Sequence, residues 1–106
     1  MSQPSVSVPP YRVIYSGAYR DELRNLLRRA VPKGRSVEIR LAATDVHTRL
    51  EWIPLDFGDP LRDYVDLDLQ ERIGTIPPLV VTYAVDEARR LVYVLLPFRL
   101  LPKSGL

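Results

Sequence analysis

Residues 79–96, LVVTYAVDEARRLVYVLL, constrain this chain more than any other segment. Two arms rich in Val, Leu and Tyr flank a charged break at 86–90, and neither arm contains Gly or Pro. That pattern predicts an antiparallel hairpin with a five-residue connection. Both arms are too apolar for a sheet with one wet face, so the hairpin is expected at the centre of a sheet, covered on each side. The rest of the chain has to supply that cover.

With 106 residues the chain is expected to form one domain with one core. A domain of this size buries roughly 60–65% of its unfolded surface, enough to fold without staples. The absence of cysteine excludes disulfides and thiolate metal sites and fits a reducing cytoplasm. No apolar run approaches the roughly 20 residues of a membrane span. The start, MSQPSVSVPP, lacks the basic and apolar regions of a signal peptide. The expected organisation is an extended lead-in over 1–10, a single domain over 11–101 and a tail over 102–106. The net charge of +2 conceals a split. Residues 1–50 carry nine Lys/Arg and four Asp/Glu, whereas 51–106 carry six and nine. Segregation of this kind suits a basic face for an anionic partner.

Local patterns fill in the elements. Residues 11–15 read as a short strand with aromatic ends. Ser16 is placed to cap a helix, with Asp21 and Glu22 near its start, where negative charge is favoured. Tyr19, Leu23, Leu26, Leu27 and Ala30 recur at helical spacing, Arg28 and Arg29 fall in the last turn, and Pro32-Lys33-Gly34 ends the helix. Residues 36–51 are ambiguous: Val37, Ile39 and Leu41 alternate as in a strand, while Ile39, Ala42, Ala43, Val46 and Leu50 fit a helix equally well, and two adjacent alanines favour a second helix. Trp52 to Pro60 reads as a loop whose Trp52, Leu55 and Phe57 fold back onto the core. Val65, Leu67 and Leu69 alternate with Tyr64, Asp66 and Asp68, predicting a half-buried strand. A further strand is expected over 72–76, ended by Pro77-Pro78, since proline cannot donate to a ladder. The fold class is therefore α+β: two N-terminal helices on one face of a four- to five-stranded, mainly antiparallel sheet.

The order βααβββ(β), with a basic first helix, is similar to the RelE/ParE superfamily of small bacterial toxins, the type II toxin–antitoxin toxins linked to plasmid stabilisation. Tyr15-Ser16-Gly17-Ala18-Tyr19-Arg20-Asp21-Glu22-Leu23 resembles the family's strand-to-helix opening. Pro54-Leu55-Asp56-Phe57-Gly58-Asp59-Pro60-Leu61 resembles the loop before its second strand. Arg72-Ile73-Gly74, with 81–86 and 92–95, resembles its final hairpin. The resemblance implies a toxin-like component, usually restrained by an antitoxin protein. It implies one of two targets, the ribosome and its mRNA or DNA gyrase. It implies no metal and no cofactor. A non-toxic interaction domain that retains the fold, or a divergent metal-independent mRNA endoribonuclease, are the alternatives, and monomer and homodimer both remain open.

Cleavage of RNA without a metal needs cations on the phosphate oxygens and a group that moves a proton. The resemblance points to Arg72 and Arg99 as the cations but supplies no matching proton carrier, so Tyr93, a hairpin residue as readily packed as catalytic, or Glu71 would have to substitute. Val80 stands where the family usually has a second arginine, and no Tyr or His follows Arg99. The catalytic set is therefore thin. Arg20, Arg24 and Arg28 lie at i, i+4 and i+8 on one helical face. Like charges at that spacing repel by a few tenths of a kcal/mol per pair, and they make the expected docking face for an antitoxin or another anionic partner. His47, the only histidine, reads as a helix surface residue. Asp63, Asp66 and Asp68 read as a solvated face rather than a hard-cation site.

Overall fold

The computed structural model describes residues 8–95 and 98–106. Residues 1–7 of the predicted lead-in, residue 96 of the predicted hairpin and Pro97 lie outside the described residues. The elements run β1 (Arg12–Tyr15), α1 (Gly17–Ala30), α2 (Ser36–Trp52), α3 (Pro54–Phe57), β2 (Asp59–Tyr64), β3 (Leu69–Ile76), β4 (Leu79–Asp86), β5 (Leu91–Val94) and β6 (Arg99–Leu100). The class is α+β with a mixed open sheet in the order β1-β5-β4-β3-β2, β6 also pairing with β4. Among the described residues only the pair β1 and β5 is parallel.

The predicted hairpin is β4 and β5. Asp86 pairs with Leu91, so the connection has four residues rather than five. β4 is hydrogen-bonded on both edges and is the centre of the sheet. One face of β4 presents Leu79, Val81, Tyr83 and Val85 to the helices, joined by Val92 and Val94 of β5. Residues of this kind contribute about 1.5–3 kcal/mol each when fully buried. The expectation of cover on each side needs correction. All the helical core residues join this one cluster, and among the described residues no helix lies on the other face. Thr82, Ala84 and Asp86 are buried there all the same.

α1 packs Leu26 and Ala30 inward with Tyr19, Leu23 and Leu27 beside them, as its spacing predicts. Ser16 occupies the N-cap position but makes no side-chain capping bond, and the first turn holds no acid. A single 3-10 turn at Val31–Lys33 follows, closed by Gly34 at φ 67, a left-handed conformation that favours glycine. α2 buries the five residues expected of it.

Two expectations fail between 52 and 69. Trp52 does not fold back; it is 56% exposed. Leu55 and Phe57 do pack against the core, the latter on the single helical turn of α3. The alternation at 64–69 is not a strand. Val65–Leu67 is a 3-10 turn at the tip of the β2–β3 hairpin, with Asp68 at φ 54. The preceding strand is β2, whose six residues are all exposed. The tail over 102–106 and the residue before it are tied down as well. Leu101 N–H donates to the Pro78 carbonyl at 2.8 Å. Arg29, Lys33 and Arg35 donate to the carbonyls of Leu106, Gly105 and Ser104.

Candidate basic face and inter-helix groove

The structure separates the three residues proposed for catalysis. Arg72 lies on β3 directly opposite Tyr83, on the helix-covered face. It is 8% exposed. Its guanidinium donates to the Gly58 carbonyl and to Gln70 Oε1, and its buried Nε has no partner. The Tyr83 hydroxyl completes this hub, accepting from Gly58 N–H at 2.9 Å and donating to the Pro54 carbonyl at 2.7 Å. Burial raises the Tyr83 pKa, and the Gly58 N–H bond and Arg72 pull against that shift. A Cβ at Gly58 would sit 2.6 Å from the Tyr83 hydroxyl and 2.7 Å from the Ile73 carbonyl oxygen. One at Gly74 would sit 2.5 Å from the Phe57 ring. Arg72 thus clamps the α3 turn to the sheet, and its donors are directed inward.

Tyr93 and Arg99 lie on the opposite face. Tyr93 pairs with Ala84 and Arg99 with Val80, four residues apart along β4, or about 13 Å. Tyr93 is half-buried in a shallow depression of about 330 Å³, shared with Leu67, Leu69, Asp86, Arg89 and Leu95. The Asp86 carboxylate accepts from the Arg89 backbone N–H at 3.0 Å and from its guanidinium at 2.9 Å. These two bonds, the backbone one first, hold the Asp86 pKa below the usual carboxylate range. Glu71 is also buried on this face; it accepts from the Tyr64 hydroxyl at 2.8 Å. Arg99 is exposed. A phosphate reached by Arg99 therefore has the sheet between itself and Arg72.

The residues proposed for docking stay together. Arg20, Arg24 and Arg28 are all exposed on α1, and none is within 4 Å of a carboxylate among the described residues. Asp63, Asp66 and Asp68 are exposed at the far hairpin tip, where Asp63 accepts from Gln70 Nε2 at 3.1 Å. Among the described residues no group of three metal-ligating side chains forms, and no helix is long and apolar enough to cross a membrane.

One polar arrangement is unexpected. His47 leans on the end of β1, its Nδ1 2.6 Å from the Tyr15 hydroxyl. Its Nε2 is 3.5 Å from Glu51 Oε1. The carboxylate favours a proton on Nε2, which leaves Nδ1 to accept from Tyr15. Burial, then the neighbouring Tyr19 and Glu51, raise the Tyr15 pKa and keep this phenol protonated. Tyr15 stacks on Tyr19 at 4.1 Å, and Tyr19 meets Phe98 edge-on at 4.9 Å. Tyr15, Tyr19 and His47, with Leu23, Arg40, Ala43 and Thr44, line a groove of about 430 Å³ between α1 and α2. Thirty-two positions separate Tyr15 from His47. The only linear hint was the spacing of Arg40, His47 and Glu51, which sets all three on one flank of α2.

No family model, curated protein or solved structure matches the chain.

Proposed function

We propose that this domain is a toxin-like component of a type II toxin–antitoxin pair that works by binding a macromolecular target rather than by turnover. The observation that carries the reading is the row Arg20, Arg24 and Arg28. Three cations share one exposed helical face and, among the described residues, none is paired with a carboxylate within 4 Å. Three like charges in a row are a stability cost that an anionic partner converts to gain. The order strand, helix, helix, antiparallel strands supports the same reading. The separation of Arg72 from Tyr93 and Arg99 favours binding over RNA cleavage. The partner is an acidic antitoxin segment, with the ribosome or gyrase as the cellular target.

The test is expression of the wild-type and Arg24→Glu chains in bacteria, with growth and ribosomal mRNA both followed. Growth arrest relieved by Arg24→Glu, without new mRNA ends, is the expected result. Because exposed substitutions usually change stability by within about 0.5 kcal/mol, the variant should fold normally. Codon-phased mRNA cuts lost in Tyr93→Phe or Arg99→Ala would instead establish a ribonuclease. Unimpaired growth at high expression would leave the non-toxic interaction domain.

A further inference from the structure

The outward face of α2 carries a second pattern, independent of the toxin reading. Val37, Leu41, Thr44, Thr48 and Trp52 fall at i, i+4, i+7, i+11 and i+15. At 3.6 residues per turn they share an arc of about 80° along roughly 22 Å of helix. All five are exposed. Val37 is 65%, Leu41 66% and Trp52 56% exposed. The two central threonines are small, and the Thr48 hydroxyl is already satisfied by the Thr44 carbonyl at 3.1 Å. The chain's only tryptophan thus stands in water at one end of an apolar stripe. Tryptophan is the side chain most often found at the energetic centre of protein interfaces.

The flanks say what covers this stripe. On one side Glu38 is held by Arg35 at 2.8 Å and Arg49 by Asp45 at 3.0 Å, so those charges are neutralised within the chain. On the other side stand Arg40, with no carboxylate within 4 Å among the described residues, and Glu51, whose nearest cationic group is His47 at 3.5 Å. Arg40 lies before the middle of the stripe and Glu51 after it. A two-fold axis through the middle sets two copies of α2 antiparallel and brings like flank to like flank. Arg40 of one copy then faces Glu51 of the other, twice. The axial mismatch is about 3 Å, two residues of rise, within the span of an arginine side chain. A parallel pair would spend Arg40 on Glu38 and Glu51 on Arg49, groups that already have partners, and would align the two helix dipoles unfavourably.

We propose that α2 is the interface of an antiparallel homodimer, with Val37, Leu41 and Trp52 as its apolar contacts and two Arg40–Glu51 pairs across it. About half a dozen residues a side is small beside the 20–30 of a standard interface. The expected dissociation constant is therefore weak, on the order of 100 µM.

The full chain should be examined by sedimentation velocity from about 5 to 500 µM, with Trp52 emission read over the same range. The expected result is a concentration-dependent shift from monomer to dimer with a blue shift of the tryptophan. Arg40→Glu should weaken the dimer about tenfold or more, and adding Glu51→Arg should restore it. Because the chain has no cysteine, single cysteines report the geometry directly. Thr44→Cys, near the two-fold axis, should oxidise to a covalent dimer, and Val37→Cys, at one end, should not. Cross-linking of Val37→Cys, with or without Thr44→Cys, would overturn the antiparallel arrangement. A wild-type chain that stays monomeric at 500 µM, with neither cysteine cross-linking, would overturn the interface altogether. Dimerisation unaltered by Leu41→Glu and Arg40→Glu would place the interface elsewhere and overturn it equally.

Discussion

The two faces of β4 are buried by different means. Leu79, Val81, Tyr83 and Val85 lie beneath α1, α2 and α3, among large side chains that fill the space between layers. Val80, Thr82, Ala84 and Asp86 have no helix above them among the described residues, yet three of the four are buried. Small side chains, flanked by longer ones on β3 and β5, reach the same low exposure without a second layer. The difference shows in the arginines. Arg72 on the first face has become part of the scaffold, whereas Arg99 on the second remains available to solvent. Low exposure at a sheet centre therefore says little about how much a residue holds up.

The contrast breaks most sharply at adjacent positions. Tyr83→Ala should cost about 3–5 kcal/mol, through a cavity under the helices and the loss of the bonds to Gly58 and Pro54. Thr82→Ala, one residue away, removes little apolar volume and should cost about 1 kcal/mol or less. Urea denaturation of the pair reads both, and equal losses would mean that the two faces are packed alike.

A smaller effect is expected when the arginines are compared. Arg72→Leu keeps most of the volume but strands the Gly58 carbonyl and Gln70 Oε1, a loss of about 1–3 kcal/mol. The orphaned Nε disappears with the guanidinium, which offsets part of that cost. Arg99→Ala should stay within about 0.5 kcal/mol. A neutral Arg72→Leu would free Arg72 from the structural role given to it above.

The smallest effect concerns pH on the helix-free face. The Asp86 pKa is lowered in the folded chain by its bonds to Arg89. A depressed folded pKa adds stability above the unfolded value, near 3.9, and loses it as pH falls through the folded value. Wild type should therefore exceed Asp86→Asn in denaturation midpoint at pH 7, and the gap should narrow below about pH 4. A gap that is constant from pH 7 to pH 3 would show that the carboxylate's charge contributes nothing.

What the sequence disclosed follows the strength of each periodic signal. α2 was legible only in part: Val37, Ile39 and Leu41 alternate as a strand would, and the adjacent alanines favour the helix, whose core takes Ile39, Ala42, Ala43, Val46 and Leu50. β4 was legible because Leu79 to Val85 is a β-branched and aromatic run without Gly or Pro. β2 was not, because all six of its residues are exposed and no alternation marks it. The alternation that did appear, at 64–69, belongs to a turn in which Asp68 adopts a left-handed conformation open to aspartate. Trp52 was read inward from its chemistry alone, but α2 runs on to that residue and turns it outward. Of the candidate site, the row on α1 was visible because a helix keeps i, i+4 and i+8 together. The contact between Tyr15 and His47 was not, since it exists only once β1 and α2 are packed, and neither was the inward turn of Arg72.

The hub of Phe57, Gly58, Arg72, Gly74 and Tyr83 has a consequence for descent. Any side chain at Gly58 strikes the tyrosine hydroxyl and a backbone carbonyl, any at Gly74 strikes the phenyl ring, and loss of Arg72 strands a carbonyl. None of the five can change alone without a cost to its neighbours, and contacting residues are where mutational effects stop adding. Along a lineage an exposed residue such as Val65 can drift one step at a time. These five must move as a set, through forms less stable than either end, so in related chains they should be retained or replaced together.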